Sequence, residues 1–236
     1  MCGRFTLIID GERLVALWGW TTRLPIFPRF NISPTQDILA VRLEHGVPAP
    51  VMLRWGLVPH WAKDPSVGTK MINARAETLL ERPSYREAFR RRRCLIVADG
   101  FYEWQQAPGK QPYWIHPADG EMLTFAGLWE SWMGANGEAV ESCTIVTTTA
   151  NGALAGIHHR MPVIVPERDR ARWLDVSVPV EQVMDLLRPA PEDLLVATPV
   201  SRHVNSAANE GPECLAGAET GPLQLDLTVP DQPPAR

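Results

Sequence analysis

The chain has 236 residues, of which 45% are hydrophobic and nine are tryptophan, a length and composition typical of one soluble globular domain and not of a disordered chain. Its longest apolar runs fall far short of the ~20 residues that a membrane helix requires, and no signal peptide precedes them, so neither a membrane span nor secretion is expected. The formal net charge of −4 is divided unevenly, because residues 1–93 hold 15 Lys/Arg against 8 Asp/Glu and residues 94–205 hold 7 against 14, which weakly favours a basic face for a polyanion.

Four cysteines stand at positions 2, 94, 143 and 214. They form no CxxC pair and no Cys/His spacing typical of a zinc site, and they do not indicate a disulfide framework. We predict reduced thiols in a cytoplasmic protein that uses no metal and no other cofactor.

The chain begins Met-Cys-Gly-Arg-Phe. Methionine is normally trimmed before a small residue, and Cys2 would then carry a free α-amine (pKa about 7.7–8.0) and a thiol (pKa about 8.5) on adjacent carbons. Such a 1,2-aminothiol captures aldehydes, because the amine forms an imine and the sulfur closes a five-membered thiazolidine on the same carbon. The alternative is that Cys2 is an accident of a disordered terminus.

The first predicted helix runs from Asp10 to Trp18, because its apolar residues share one face and Asp10 suits the N-cap. The stretch FNISPTQ at positions 30–36 is extended and is broken by Pro34, which cannot donate a ladder hydrogen bond and suits a rim or turn. Asn31 could orient a ligand or tie this turn, and we favour the turn. A β-like run follows at positions 37–43.

The next stretch, VMLRWGLVPHW at positions 51–61, is predicted as a strand that runs into a loop carrying Trp55 and Trp61. A tryptophan on a loop more often belongs to the core than to a binding platform. The alternative is stacking on nucleobases, which contributes about 1–3 kcal/mol per base in single-strand binders. Basic residues that flank this region are placed to meet phosphates: Lys63, Lys70 and Arg75.

The segment MINARAE at positions 71–77 is more polar than a simple strand. Asn73 and Arg75 are two residues apart and share one face if the segment is extended, which would aim an amide and a guanidinium at one ligand. A structural asparagine and a surface arginine are an equal alternative. A short basic helix is predicted at 84–93, and we interpret its terminal RRRR mainly as a solvated face.

The segment CLIVADGFYEW at positions 94–104 is predicted as a buried strand at 95–98, a turn at Asp99-Gly100 and an aromatic stretch around Glu103. A carboxylate held among aromatic rings has its pKa raised toward the range useful for proton transfer, so Glu103 is a candidate general acid/base. In the alternative, an alternating strand places Glu103 on the solvent face.

The remainder is predicted as antiparallel β-structure with peripheral helices, followed by a tail. Strands are expected at 113–116, 123–128, 143–149 and, closing the sheet, 199–205; surface helices are expected at 166–174 and 179–187. The stretch 206–236 is rich in Gly, Pro, Ala and acidic residues and is predicted to be disordered.

The segment ANGALAGIHHRMP at positions 150–162 holds two adjacent histidines. One histidine of such a pair commonly faces inward, and a lone histidine is usually structural. However, Cys2, Asn73, Glu103 and His158 together supply the nucleophile, the orienting group and the proton-transfer groups that aldehyde chemistry requires.

The ordered motifs MCGRF, FNISPTQ, RWGLVPHW, MINARAE, ADGFYEW, TTTAN, IHHRMP and VSRHVN resemble those of the SRAP family, the HMCES/YedK-like abasic-site processing proteins, over residues 2–205. The resemblance implies one α+β domain at 1–205, mainly antiparallel, with a barrel-like bifurcated sheet. It also implies covalent capture of abasic sites in single-stranded DNA by a thiazolidine at Cys2, in repair and the SOS response to DNA damage.

Roles carried over by motif make Cys2 the nucleophile and Asn73 the residue that positions it. Glu103 becomes the acid/base for sugar-ring opening and imine formation, and His158 the second proton-transfer group, acting also in crosslink reversal. The resemblance also implies positions near the DNA, with Trp61 stacking at a break in the bases: Arg4, Asn31, Pro34, Trp61, Arg75, Thr147 and Arg160.

We therefore expect a lyase-type enzyme that acts as a monomer on single-stranded DNA with abasic sites, located in the cytoplasm, or with the nucleoid if bacterial, and without a membrane partner. Two alternatives stay open. One is an N-terminal-nucleophile amide hydrolase or autoprotease, in which the free amine serves as base for the thiol. The other is a non-catalytic single-strand binder that uses Trp61 and the basic half of the chain.

Overall fold

The computed structural model of the protein describes residues 2–20 and 26–218, and strands dominate them. In chain order the strands are β1 (Arg4–Leu7), β2 (Arg29–Ile32), β3 (Asp37–Glu44), β4 (Val47–Trp55), β5 (Asn73–Arg75), β6 (Arg93–Ala98), β7 (Gly100–Trp104), β8 (Pro112–Pro117), β9 (Leu123–Met133), β10 (Ala139–Thr149), β11 (Arg160–Pro162) and β12 (Leu195–Pro199). The α-helices are α1 (Gly11–Trp18), α2 (Pro83–Arg91), α3 (Gly152–Ala155) and α4 (Glu167–Leu174). Short 3-10 helices lie at Pro65–Lys70, Ala76–Thr78, Val180–Gln182, Met184–Leu186, Arg202–Asn205 and Pro212–Leu215.

The strands form two sheets, one of which closes on itself. The first has the order β12-β8-β7-β1-β2, and the second has the order β11-β10-β4-β3-β6-β9, with β5 paired to β10. Because β9 pairs with both β6 and β10, the strands β10, β4, β3, β6 and β9 form a closed, barrel-like ring without a free edge. Most pairs are antiparallel, while β10 runs parallel to β4 and β5. The predicted α+β fold with a barrel-like sheet is confirmed.

Local patterns predicted the first helix correctly and the end of the second incorrectly. Asp10 caps α1 by accepting the backbone N–H of Arg13 at 2.8 Å. Helix α2 ends at Arg91, and the last arginine of the RRRR run, Arg93, begins β6 and is buried. Its guanidinium donates to four backbone carbonyls, which replace the water lost on burial. The predicted solvated face is therefore wrong at Arg93.

The last part of the described chain differs from the predicted closing strand. Strand β12 ends at Pro199, and Ser201 then caps a 3-10 helix at Arg202–Asn205 by accepting the backbone N–H of His203 at 3.2 Å. The helix predicted at 179–187 is replaced by two 3-10 turns. Within the described residues, no helix has the length and apolar character needed to cross a membrane.

Part of the predicted disordered tail lies against the first sheet. The Asn31 amide donates to the carbonyls of Ser206 and Asn209 at 2.9 and 2.8 Å, and Cys214 is buried. The turn-forming residues that suggested disorder build a 3-10 helix at Pro212–Leu215 instead. The rest of the predicted tail, 219–236, lies outside the described residues.

Candidate active site

The residues with predicted chemical roles meet where the two sheets face each other. Cys2 lies two residues before the start of β1, and Glu103 lies on the neighbouring strand β7, where Arg4 pairs with Tyr102. Asn73 lies on β5 of the second sheet, and His158 lies between α3 and β11. Four segments that are far apart in sequence thus contribute to one site. Among residues 2–20 and 26–218, no three His, Cys, Asp or Glu side chains are grouped so that they could hold a metal ion.

Cys2 is fully buried and is held by its backbone. The Asn73 side-chain amide donates to the Cys2 carbonyl at 2.8 Å, and the Cys2 Sγ lies 3.9 Å from the Arg4 carbonyl oxygen. Burial raises the pKa of the Cys2 thiol well above its ordinary value, and the nearby Glu103 raises it further. The reference pKa suggested a partly ionised thiol, whereas the buried thiol is protonated at neutral pH. The sulfur therefore needs a proton acceptor when it attacks.

Asn73 holds Cys2 with one side-chain atom and keeps a second available. Along β5 the burial alternates as predicted, with Asn73 partly buried, Ala74 buried and Arg75 exposed. The Tyr85 hydroxyl donates to the Asn73 carbonyl at 3.3 Å and ties helix α2 to this strand. The Asn73 Oδ1 is buried and has no hydrogen-bond partner among the described residues. A buried acceptor of this kind normally receives a hydrogen bond, so the Asn73 Oδ1 can still accept one.

Glu103 is only 4% exposed, so the alternative that placed it on the solvent face of a strand is wrong. Burial raises the pKa of its carboxyl from an ordinary 4.5 to about 7. At neutral pH both the protonated and the ionised form are therefore populated, and the group can donate or accept a proton. Its Oε1 lies 4.0 Å from the Nδ1 of His158.

His158 is oriented by the backbone of Arg160. The Arg160 N–H donates to the His158 Nδ1 at 3.0 Å, and the Arg160 carbonyl oxygen lies 3.2 Å from the same nitrogen. The amide is a fixed donor, so we assign the ring proton to Nε2. Burial lowers the pKa of His158, which keeps the ring neutral near pH 7. Its neighbour His159 stacks on it, with ring centroids 4.4 Å apart, and is exposed. The pair therefore has one inward and one outward histidine, as predicted.

Arg160 and Thr147, both predicted near DNA, are engaged within the protein. The Arg160 guanidinium pairs with both oxygens of Glu77, at 2.6 and 3.0 Å, and donates to the Thr147 carbonyl at 2.5 Å. Thr147 is fully buried, and its hydroxyl lies 3.5 Å from the Ala74 carbonyl oxygen. The Arg160 charge is thus neutralised in the free protein.

Arg4 and Asn31, also predicted near DNA, form an internal network. Arg4 donates to the Asn31 Oδ1 and to the Val204 carbonyl, both at 2.8 Å, and Asn31 is only 1% exposed. The Asn31 amide donates to backbone carbonyls of the C-terminal segment. Asn31 therefore ties the chain together in the free protein, and its place near the DNA stays a prediction.

Three of the predicted contacts remain accessible. Trp61 is 56% exposed in the turn region after β4, whereas Trp55 is fully buried in the core. Arg75 is exposed at the end of β5, and Pro34 is partly buried in the turn between β2 and β3, where its missing N–H is tolerated. Exposed aromatic and cationic groups are the kind that bind single-stranded nucleic acid.

Comparison with known proteins decides the family. The family model for SOS response associated peptidase (SRAP) matches residues 1–207 of the chain. The chain belongs to the SRAP family. Among its relatives, the abasic site processing protein YoqW of Bacillus subtilis is 39% identical over 221 residues, which cover 91% of this chain and 99% of YoqW. The abasic site processing protein HMCES of Gallus gallus is 42% identical over 205 residues, which cover 75% of this chain and 60% of HMCES.

Solved structures share the SRAP fold of this chain. The crystal structure of a Bacteroides thetaiotaomicron protein superposes with a TM-score of 0.84 and covers 92% of this chain and 100% of that protein, at 23% identity. A Bordetella bronchiseptica protein gives a TM-score of 0.73 at 28% identity, covering 85% of this chain and 100% of that protein. The first of these likenesses shows the fold alone.

Two residues of this SRAP site escaped the sequence analysis. Glu77 stands four residues after Asn73 and continues the alternation Asn73, Arg75, Glu77, a pattern that could have suggested it. Tyr85 supports Asn73 from helix α2, and no local pattern distinguishes it from an ordinary core tyrosine, because the contact depends on how α2 packs on the sheet.

Proposed function

We propose that this SRAP protein captures abasic sites in single-stranded DNA as a covalent thiazolidine on Cys2, after removal of Met1 has freed the Cys2 α-amine. The observation that carries the proposal is the meeting of Cys2, Asn73, Glu103 and His158 at one junction of the two sheets. A 1,2-aminothiol beside two proton-transfer groups suits an aldehyde substrate. The relatives named as abasic site processing proteins support an abasic site as its source.

The first step opens the sugar. An abasic deoxyribose exists mainly as a cyclic hemiacetal, and the aldehyde appears only when the ring opens. The ionised Glu103 takes the proton of the anomeric hydroxyl, and a proton is returned to the ring oxygen as the bond from that oxygen to the anomeric carbon breaks. A carboxyl with a pKa of about 7 can accept the first proton and donate the second near neutral pH.

The second step forms the imine. The neutral α-amine of Cys2 attacks the aldehyde carbon, and its nitrogen loses two protons as the carbon–nitrogen double bond forms. The neutral His158 accepts protons from the nitrogen, Glu103 passes protons to the former aldehyde oxygen, and that oxygen leaves as water once it has received two of them. Asn73 keeps the Cys2 carbonyl fixed at 2.8 Å, which limits rotation of the residue that carries both nucleophiles.

The third step closes the ring. The Cys2 sulfur bonds to the imine carbon, the carbon–nitrogen double bond becomes single, and the thiol proton finishes on the nitrogen. Because burial raises the pKa of this thiol, its proton must pass through a neighbouring group, and Glu103 is close enough to influence it. The net change is the loss of one water, without oxidation or reduction.

Single-stranded DNA, or the single-stranded side of a junction, is the proposed form of the substrate, and the protein is proposed to act as a monomer. A duplex keeps a lesion stacked between paired neighbours, whereas the catalytic groups lie inside the protein. Exposed Trp61 offers a stacking surface, and exposed Arg75 offers a phosphate contact.

A second candidate function is amide hydrolysis at the Met1–Cys2 bond or in a peptide, which the word peptidase in the family description favours. A cysteine hydrolase attacks as the thiolate. The raised pKa of the buried Cys2 thiol speaks against this route at neutral pH.

One experiment tests the proposal. The protein, with Met1 removal checked by mass spectrometry, is mixed with a single-stranded oligonucleotide containing one abasic site, and the products are separated on a denaturing gel after heating. We expect a slower, heat-stable band with this DNA, less of it with the corresponding duplex, and none with an oligonucleotide of intact bases. Absence of the band together with turnover of a peptide would favour the hydrolase.

A further inference from the structure

The ion pair between Arg160 and Glu77 joins one buried and one accessible partner. The Arg160 side chain is 9% exposed, whereas the Glu77 side chain is 48% exposed. Both carboxylate oxygens are used on the guanidinium, at 2.6 and 3.0 Å, in a two-pronged arrangement. Arg160 lowers the pKa of Glu77, so the carboxylate is ionised at neutral pH. The pair is therefore held by charge on its inner side and open to solvent on its outer side.

A phosphate can replace such a carboxylate without any change in the arginine. The guanidinium fork binds carboxylates and phosphates with the same bidentate geometry. The Arg160 Nε is buried and has no hydrogen-bond partner in the described part of the chain, so the free protein does not use every donor of the guanidinium. Glu77 lies on a three-residue 3-10 helix, Ala76–Thr78, which directly follows the strand that carries Asn73, the residue that holds Cys2.

Arg160 has supports that do not depend on Glu77. Its guanidinium donates to the Thr147 carbonyl at 2.5 Å, and its backbone N–H donates to His158. When the carboxylate leaves, these contacts keep the arginine and the histidine in place. Only the glutamate side chain has to move.

We propose that Glu77 occupies, in the free protein, the position that a DNA phosphate takes at Arg160, so that DNA binding exchanges a carboxylate for a phosphate and Glu77 limits the affinity for single-stranded DNA. The identification of the anion as a DNA phosphate rests on the proposed function. The exchange makes undamaged DNA a weak ligand, because every encounter must break an ion pair. A captured abasic site is retained by its covalent bond instead.

The test compares Glu77→Gln with Glu81→Gln, which removes the same charge from an exposed residue on the same segment. Binding of a fluorescent single-stranded oligonucleotide with intact bases is measured by anisotropy at several salt concentrations, and melting temperatures confirm that each variant is folded. We expect Glu77→Gln to bind about tenfold more tightly than the wild type and Glu81→Gln less than about twofold more tightly. In an Arg160→Gln background, Glu77→Gln should give no more than the Glu81→Gln change.

Equal DNA affinities of Glu77→Gln and Glu81→Gln would contradict the exchange. Weaker DNA binding by Glu77→Gln would contradict it too, because Glu77 would then hold Arg160 in place for DNA binding. Should Glu77→Gln fail to fold, Glu77→Asp decides, because the shorter carboxylate pairs less well and should bind DNA more tightly than the wild type. The same proteins are tested for crosslinking to abasic DNA. Loss of crosslinking in the wild type would reject the proposed function, whereas equal affinities beside normal crosslinking would reject only the exchange.

Discussion

Two asparagines of this protein were both placed at the functional site by sequence, Asn31 near the DNA and Asn73 as the residue that positions Cys2, and their hydrogen bonds in the structure differ. Asn31 uses both ends of its side chain internally: Oδ1 accepts from Arg4, and the amide donates to carbonyls that include Ser206 and Asn209. Asn73 donates once, to the Cys2 carbonyl, and its buried Oδ1 has no partner among the described residues. The Asn31 side chain thus uses both its oxygen and its amide inside the protein, whereas the Asn73 side chain uses its amide only.

The comparison teaches that burial alone does not identify a functional polar residue. A buried polar group normally has all of its hydrogen bonds, and each exception needs a reason. At Asn31, internal hydrogen bonds use both polar atoms of the side chain and attach the C-terminal segment to β2. Around Asn73 the neighbours are a buried thiol and a carboxyl with a raised pKa. Such perturbed groups concentrate at functional sites.

The largest effect is expected from Glu103→Gln, which keeps the shape of the side chain and removes its proton transfer. Crosslinking to abasic single-stranded DNA should slow by about 10²- to 10⁴-fold, with DNA affinity near that of the wild type. The wild-type rate should rise with pH through about 7 as Glu103 ionises, and the variant should keep only the rise that follows deprotonation of the Cys2 α-amine, whose reference pKa is about 7.7–8.0. A lowered melting temperature with an unchanged rate would make Glu103 structural.

The comparison of the two asparagines predicts that substitution of Asn73 lowers the crosslinking rate, whereas substitution of Asn31 lowers the stability of the fold. Asn73→Ala should reduce the crosslinking rate at saturating DNA by about 10- to 100-fold, because Cys2 loses the contact that orients it. Asn31→Ala removes one acceptor of Arg4 and the donor to the Ser206 and Asn209 carbonyls, and it should cost about 1–3 kcal/mol of stability, with little effect on that rate. Single-turnover kinetics and denaturant unfolding of both variants measure this, and equal rate losses would remove the distinction.

A smaller effect is expected at Trp61, an exposed aromatic residue among the predicted DNA contacts. Trp61→Ala should weaken binding of single-stranded DNA by about tenfold, as expected for one lost stacking contact, and Trp61→Phe should retain most of the affinity. Anisotropy with single-stranded and duplex oligonucleotides at one salt concentration gives both values. Unchanged affinity of Trp61→Ala would remove Trp61 from the interface.

The smallest effect concerns stability and pH. The pKa of Glu103 is raised from 4.5 to about 7, so its ionisation inside the folded protein is unfavourable, and the resulting stability loss develops as pH rises from about 4.5 to about 7. Relative to the wild type, Glu103→Gln should melt about 5 °C higher at pH 8 and nearly the same at pH 5. A difference that does not change with pH would mean that the carboxyl is not buried as described.

Sequence could predict what local rules decide. The N-cap at Asp10 needs only the next three residues, and the alternation of Asn73 and Arg75 needs only an extended backbone. The position of Arg93 was missed because three of its four acceptors, the carbonyls of Trp173, Asp175 and Val178, lie about eighty residues later. The closure of the barrel by the pairing of β9 with both β6 and β10 is likewise a long-range event.

The candidate site was predicted in part. Residue chemistry pointed to Cys2 and allowed two opposite faces for Glu103, because the face of a strand is decided by what packs over it. The grouping with Asn73 and His158 gained specificity from the family resemblance. The contacts of Arg160 with Glu77 could not be predicted from the sequence, since a guanidinium in sequence looks the same whether it will meet a phosphate or a carboxylate.

The most direct measurement asks whether the α-amine and the thiol of Cys2 act on one carbon. Heat-stable crosslinking to abasic single-stranded DNA is compared for the wild type, Cys2→Ser and a protein with one alanine inserted between Met1 and Cys2, with the N-terminus of each checked by mass spectrometry. The insertion puts the Cys2 nitrogen into an amide, which cannot form an imine, so no stable crosslink should appear. Cys2→Ser should give only a labile adduct that borohydride traps, because a hydroxyl closes the ring poorly. Undiminished stable crosslinking by the insertion protein would contradict the thiazolidine mechanism.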